Sequence, residues 1–322
     1  METSPWIWIG FNAFVLLLLA LDLGVFHRRP HQISVREALI TSSGYVALAL
    51  VFNAGVYWFM GAQKGLEFTT GYLIEWSLSL DNIFVIAMIF GHFAVPPAYQ
   101  HRVLFWGILG ALVMRATLIF AGTALIQQFH WTIYLFGAFL LFTGVKMLMA
   151  ADAEPDLANN RLLNFVRRHV RMTDTYEGSH FVVRRNGLLL ATPMLLVLVM
   201  VEATDLMFAL DSVPAIFAVT SDPFIVYTSN VFAILGLRSL YFALSGIIHR
   251  FAYLKYGLSL VLVFIGGKMM LVDVWKVPTA LALGVTATLI GGSVLLSLIK
   301  TRQATGGEAV PDRIATQEGT AD

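Results

Sequence analysis

Five carboxylates stand inside two long runs of otherwise apolar residues: Glu75 and Asp81 in the first, Glu202, Asp205 and Asp211 in the second. At mid-bilayer each costs ~2.5–3.5 kcal/mol on insertion scales, so something positive must offset them. One source is internal, because Arg115 and Arg238 also fall inside apolar runs and could close ion pairs that hold a helix bundle together. Two arginines do not neutralise five acids, and the excess calls for a cation from solution. Carboxylates beside the neutral oxygens of Ser77, Ser79, Asn82, Thr204 and Ser212 suit hard or borderline ions such as Mg²⁺, Ca²⁺ or Mn²⁺. The chain has no cysteine, which excludes thiolate ligands and disulfides. Met88 and Met207 lie close by in sequence; packing is their ordinary use, but a thioether ligand would tilt the site towards Mn²⁺.

Spacing limits which acids cooperate. Six residues of straight helix rise ~9 Å and turn ~240°, so Glu75 and Asp81 cannot share one coordination shell unless the helix breaks. Glu202 and Asp205, three apart, share a face. Pro214 frees the carbonyl of Leu210 beside Asp211, which predicts a break in the second acidic helix.

The elements that position these residues are membrane-spanning helices. Of 322 residues 58% are hydrophobic and 13% charged, and strand-length alternation is absent, so a barrel is not expected. Apolar runs cover residues 6–26, 39–60, 68–91, 103–125, 131–150, 188–219, 224–247, 252–272 and 278–299, which predicts an all-α polytopic membrane protein of about nine transmembrane helices. Residues 1–300 form a single transmembrane domain, interrupted by an arginine-rich polar stretch at 151–187, and residues 301–322 read as a disordered tail. With nine spans the Lys and Arg residues collect on one side, leaving only Lys64 and Lys276 in the loops of the other. That places the N-terminus outside and the C-terminus in the cytoplasm. A formal net charge of +1 with no pooled basic patch excludes a nucleic-acid partner.

The halves of the chain echo one another. Glu75-Trp-Ser-Leu-Ser-Leu-Asp81-Asn82 is matched by Asp205-Leu-Met-Phe-Ala-Leu-Asp211-Ser212, Ile108-Leu-Gly110 by Ile234-Leu-Gly236, and Phe142-Thr-Gly-Val-Lys146 by Phe264-Ile-Gly-Gly-Lys268. Repeat one covers about residues 66–150 and repeat two about 188–272. Three spans per unit make the second copy inverted, a transporter architecture. Lys146 and Lys268, each late in the third span of its unit, are explained by snorkelling. His92 and His101 fall at a cytoplasmic turn, and Asp22 near the inner end of the first span.

With these motifs, and with Leu21-Asp-Leu-Gly-Val-Phe-His27 and Glu202-Ala-Thr-Asp-Leu-Met-Phe-Ala-Leu-Asp211-Ser-Val-Pro214, the chain resembles the TerC family of integral membrane proteins, in its Alx-like branch, over roughly residues 5 to 300. The resemblance implies a bacterial inner-membrane protein related to inverted-repeat cation exporters, with Mn²⁺ export as the function and Glu75, Asp81, Glu202, Asp205 and Asp211 as the acids that carry it. Some relatives are tied instead to tellurite resistance, metal loading of exported proteins or membrane-protein assembly.

The expectation is therefore a divalent-cation transporter and not an enzyme, with Glu75, Asp81, Asn82, Glu202, Asp205 and Asp211 as ion ligands and Ser212, Met207, Arg115 and Arg238 in support. Its partners are a divalent metal ion and the lipid bilayer, with a homo-oligomer left open. No tightly bound cofactor is expected; Mn²⁺ or Ca²⁺ is cargo, and exchange for protons is chemically reasonable. Taking Asp81 and Asp211 as the shared centre, Glu202 and Asp205 double the acids on the cytoplasmic approach, which favours export; Tyr72 stands where repeat one would carry a second such acid. The alternatives are an accessory protein that moves nothing and a Mg²⁺-dependent intramembrane enzyme acting on a phosphorylated lipid.

Overall fold

The structure is a computed structural model, and it describes residues 4–21, 33–149, 161–185, 187–244, 253–275 and 277–306. The helices are α1 (Pro5–Leu21), α2 (Val35–Met60), α3 (Ala62–His92), α4 (Pro97–Gln128), α5 (Thr132–Met149), α6 (Arg161–His169), α7 (Pro193–Phe217), α8 (Pro223–Leu235), α9 (Leu237–Leu244), α10 (Leu254–Met270) and α11 (Thr279–Gly306); strands β1 (Val182–Arg185) and β2 (Leu188–Ala191) form an antiparallel hairpin between α6 and α7. The chain is an all-α polytopic membrane protein. Among the described residues seven helices are long and apolar enough to cross a membrane, counting Pro223–Leu244 as one, and the apolar α1 is shorter. Helices are the form such sequences must take, because lipid offers no partner to an open N–H or C=O.

Boundaries follow local chemistry. Proline stands in the first turn of α4, α7 and α8, where its missing N–H costs nothing. The Asp222 carboxylate caps α8 by accepting from the N–H of Phe224. Gly61, at φ 93°, lets the chain pass from α2 to α3 through one residue, a conformation that an L side chain would strain.

Three expectations need correction. The sixth span was read from residue 188, but Leu188–Ala191 is strand β2, paired with β1, and the helix starts at Pro193. The expected break at Pro214 is absent, since α7 runs through that proline to Phe217. The seventh span is instead divided at Gly236 into α8 and α9. In addition, α11 runs on to Gly306, into the stretch read as tail, while residues 307–322 and Asp22 lie outside the described residues.

Helices of the two halves of the chain pack on one another. α3 lies against α8 as α4 lies against α7, and α5 packs on α10. Direction can be read from the glycines: Gly137 on α5 faces Gly266 and Met269 of α10, whereas Gly144 faces Ser259 and Val263. As the α5 number rises the α10 number falls, so these equivalent helices are antiparallel. α3 and α7 are antiparallel too, because Asn82 meets Asp205 while Glu75 and Ser212 meet a common partner.

Candidate functional site

The antiparallel crossing of α3 and α7 determines which acids meet. Glu75 and Asp205, the first acid of each echo, converge at the centre, and Arg115 of α4 reaches between them. Its Nε and Nη2 donate to the two oxygens of Asp205 at 3.3 and 3.0 Å, a forked grip. Nη1 donates to Glu75, to Ser212 Oγ at 3.2 Å and to Asn230 Oδ1 at 3.3 Å. Asn230 Nδ2 donates in turn to Glu75 at 3.0 Å, and Asn82 Nδ2 to Asp205 at 2.9 Å. Glu75 is fully buried, and Arg115 and Asp205 are 3% and 4% exposed, so bulk water does not screen the triad. Two carboxylates surround one guanidinium, which leaves the centre one charge negative.

The second acids turn away by the ~240° that six residues of helix impose. Asp81 lies within electrostatic reach of Lys255 on α10, and Asp211 is hydrogen-bonded to Thr143 and within reach of Lys146 on α5. They face the α5–α10 pair from neighbouring helices and do not form the shared centre assumed from the sequence. Lys146 therefore has an acid nearby, and Lys268 likewise lies within reach of Glu67.

Glu202 sits one turn before Asp205 on α7, its carboxylate against Gly110 of α4, where a Cβ would collide with it. Arg238 does not hold an acid of the centre; its guanidinium donates to His101 Nε2 at 3.1 Å and lines a small cavity with Asn82, Asp205, Gly107, Ala111 and Val201. That cavity holds about 20 Å³, room for one water. Asn82 Oδ1 is buried beside it without a hydrogen-bond partner. Met207, 69% exposed, points off the bundle and cannot supply a thioether to the centre. Ser77 and Thr204 spend their hydroxyls on carbonyls of their own helices. Among the described residues no three Asp, Glu or His side chains converge to enclose an ion, because Arg115 stands between the central pair.

Sequence reasoning missed several members. Glu67, Gly71, Glu75, Ser79 and Asn82 line one face of α3 at helical spacing, and that stripe was the available signal. At its far end Glu67 accepts from Thr220 at 2.5 Å and from Lys64 at 3.0 Å, and Lys64 also pairs with Asp222 at 3.1 Å. Asn230 belongs to the triplet Thr228-Ser229-Asn230, three buried polar residues in an apolar run. At the other end the α6–hairpin segment is tied down: Tyr176 donates to the carbonyl of Phe93 at 2.7 Å and Arg102 to Ser179 at 2.8 Å. Burial pushes the Tyr176 phenol up, so it remains a donor.

The chain matches the family described as "Integral membrane protein TerC family" over residues 60–305. It is 55% identical over 306 residues to the "Uncharacterized membrane protein STKORF319" of Myxococcus xanthus, covering 95% of this chain and 96% of that one. It is 54% identical over 291 residues to the "Putative membrane-bound redox modulator Alx" of Salmonella typhi, with 88% and 90% covered. The protein of the same name from Escherichia coli strain K12 is 52% identical, with 88% and 91% covered. No solved structure matches significantly.

Proposed function

The chain belongs to the TerC family of integral membrane proteins, and on that premise we propose that it moves a divalent metal cation, Mn²⁺ foremost, across the bacterial inner membrane and out of the cell. The observation that carries this reading is the Glu75–Asp205 pair, two carboxylates from equivalent positions of antiparallel helices, buried with one arginine between them. A purely structural pair would need one acid for that arginine. The second acid, with Glu202 close by, leaves negative charge that a divalent ion neutralises.

The donors suit such an ion. Carboxylate, amide and hydroxyl oxygens from Glu75, Asp205, Asn82, Asn230 and Ser212 accept Mn²⁺ and also Ca²⁺, and the preference for Mn²⁺ rests on the family resemblance. Asp81 and Asp211 serve as flanking stations towards α5 and α10. With the N-terminus outside and the C-terminus in the cytoplasm, Glu202 lies on the cytoplasmic side of Asp205, which favours export.

The relatives' name speaks of redox modulation. This chain has no cysteine, so a redox effect would run through what it moves and not through its own thiols. An enzyme acting on a phosphorylated lipid finds less support, because the buried Arg115 is engaged by carboxylates and is not offered to a phosphate.

The test is manganese flux into liposomes containing only the purified protein. Saturable flux that disappears in Glu75→Gln and Asp205→Asn is expected. Folded wild-type protein that moves no divalent ion would leave the accessory role in its place.

A further inference from the structure

We propose that Arg115 is a tethered counter-cation, which leaves Glu75 and Asp205 for Glu202 when the transported ion arrives. The inference rests on the divalent-cation reading of the centre. An ion that takes Glu75 and Asp205 as ligands must first evict the guanidinium, which now satisfies both. A buried guanidinium cannot be left without a partner, since an uncompensated charge at that depth costs several kcal/mol. It needs a second seat within reach.

Glu202 offers that seat. It is three residues from Asp205 on the same face of α7, a rise of ~4.5 Å. Among the described residues it has no ion-pair partner, although it is only partly exposed. Its carboxylate rests against α4 itself, in the space that Gly110 leaves open.

The side chain already leans in that direction. An arginine on a helix leans towards the helix N-terminus, over the residues three and four before it. Below Arg115 on α4 stand Ala111 and Gly107, and the free volume of about 20 Å³ lies against both, together with Val201 and Asp205 of α7. The guanidinium moves one turn along α7, with a carboxylate at each end of its path. Charge closes as well, because three carboxylates, one guanidinium and one divalent ion sum to zero. The same logic gives release, since Arg115 returning to Glu75 and Asp205 expels the ion without any other driving group.

Titration calorimetry of Mn²⁺ into the purified full chain, at alkaline pH so that protons do not take the place of the guanidinium, tests the exchange. Arg115→Gln removes the competitor and should tighten Mn²⁺ binding about tenfold, within the usual range of coupling between linked ligands. Glu202→Gln should weaken binding by a similar factor when Arg115 is present, and change it little in the Arg115→Gln background. A direct ligand would weaken both backgrounds equally, and that result overturns the proposal. Binding to Arg115→Gln that is no tighter than to wild type also overturns it. If Arg115→Gln does not fold, Arg115→Lys keeps the charge but loses the forked grip, and must bind Mn²⁺ more tightly than wild type or the proposal fails. Wild-type protein that binds no divalent ion would instead remove the transport reading on which the exchange rests.

Discussion

Glu75 on α3 and Asp205 on α7 occupy equivalent positions of the two units and share one guanidinium. Glu75→Gln and Asp205→Asn should each abolish manganese flux in liposomes. Either change leaves the other acid paired with Arg115, so thermal stability in detergent should fall by less than the ~3–5 kcal/mol that an uncompensated buried charge costs. Stability loss with normal flux would mean that the pair is scaffolding.

Gly110 is required for the place of Glu202. Gly110→Ala puts a methyl group into that carboxylate and should raise the half-saturation concentration for Mn²⁺ several-fold, with a smaller effect on maximal rate. Gly291→Ala on α11, whose Cβ would meet nothing within 4 Å, is the control and should leave half-saturation near wild type. Equal effects of the two would count against a special role for Gly110.

Adjacent glycines on α10 separate packing from composition. A Cβ at Gly266 would stand 2.7 Å from the Leu141 nitrogen and 2.8 Å from the Gly137 oxygen, backbone atoms that cannot step aside, whereas Gly267 has nothing within 4 Å. Gly266→Ala should cost about 1–3 kcal/mol through overpacking, and Gly267→Ala should be neutral or mildly stabilising. Thermal unfolding of the two variants checks this, and equal melting temperatures would mean that α5 and α10 are not so closely joined.

Met207→Leu should leave the preference for Mn²⁺ over Ca²⁺ unchanged, because that side chain points away from the acids. A competition assay measuring manganese flux against added calcium reads the preference directly. A shift towards calcium would show that the thioether reaches the ion in another conformation.

The internal echo told a great deal. Matching acids, glycines and lysines at matching spacing predicts two inverted units, and the antiparallel pairs α3–α7 and α5–α10 are what such units produce. It could not tell which acids would meet, because that depends on the rotation of each helix about its axis. The reading centred on Asp81 and Asp211 went wrong there, and Arg115, considered only as a generic partner, proved to be the middle of the site. The hairpin had a local signal in Asn186-Gly187 between two β-compatible runs, which was lost because Leu188–Ala191 reads as the start of an apolar span. Glu67 and Asn230 went unnoticed because one stands at a helix end and the other carries no charge.

The Glu75–Arg115 pair also bears on how the chain enters the membrane. The two residues are 40 positions apart, both within the first unit, whereas Asp205 follows Arg115 by a further 90. As the ribosome delivers the chain, α3 and α4 can pair off with Glu75 and Arg115 already joined, a hairpin that lipid accepts more readily than either helix alone. Asp205 then arrives at an arginine already in place and docks α7 against it. Of these three charges that of Asp205 thus comes last, and an exchange of the positions of Glu75 and Arg115 along the chain would keep that order while reversing which helix waits for the other.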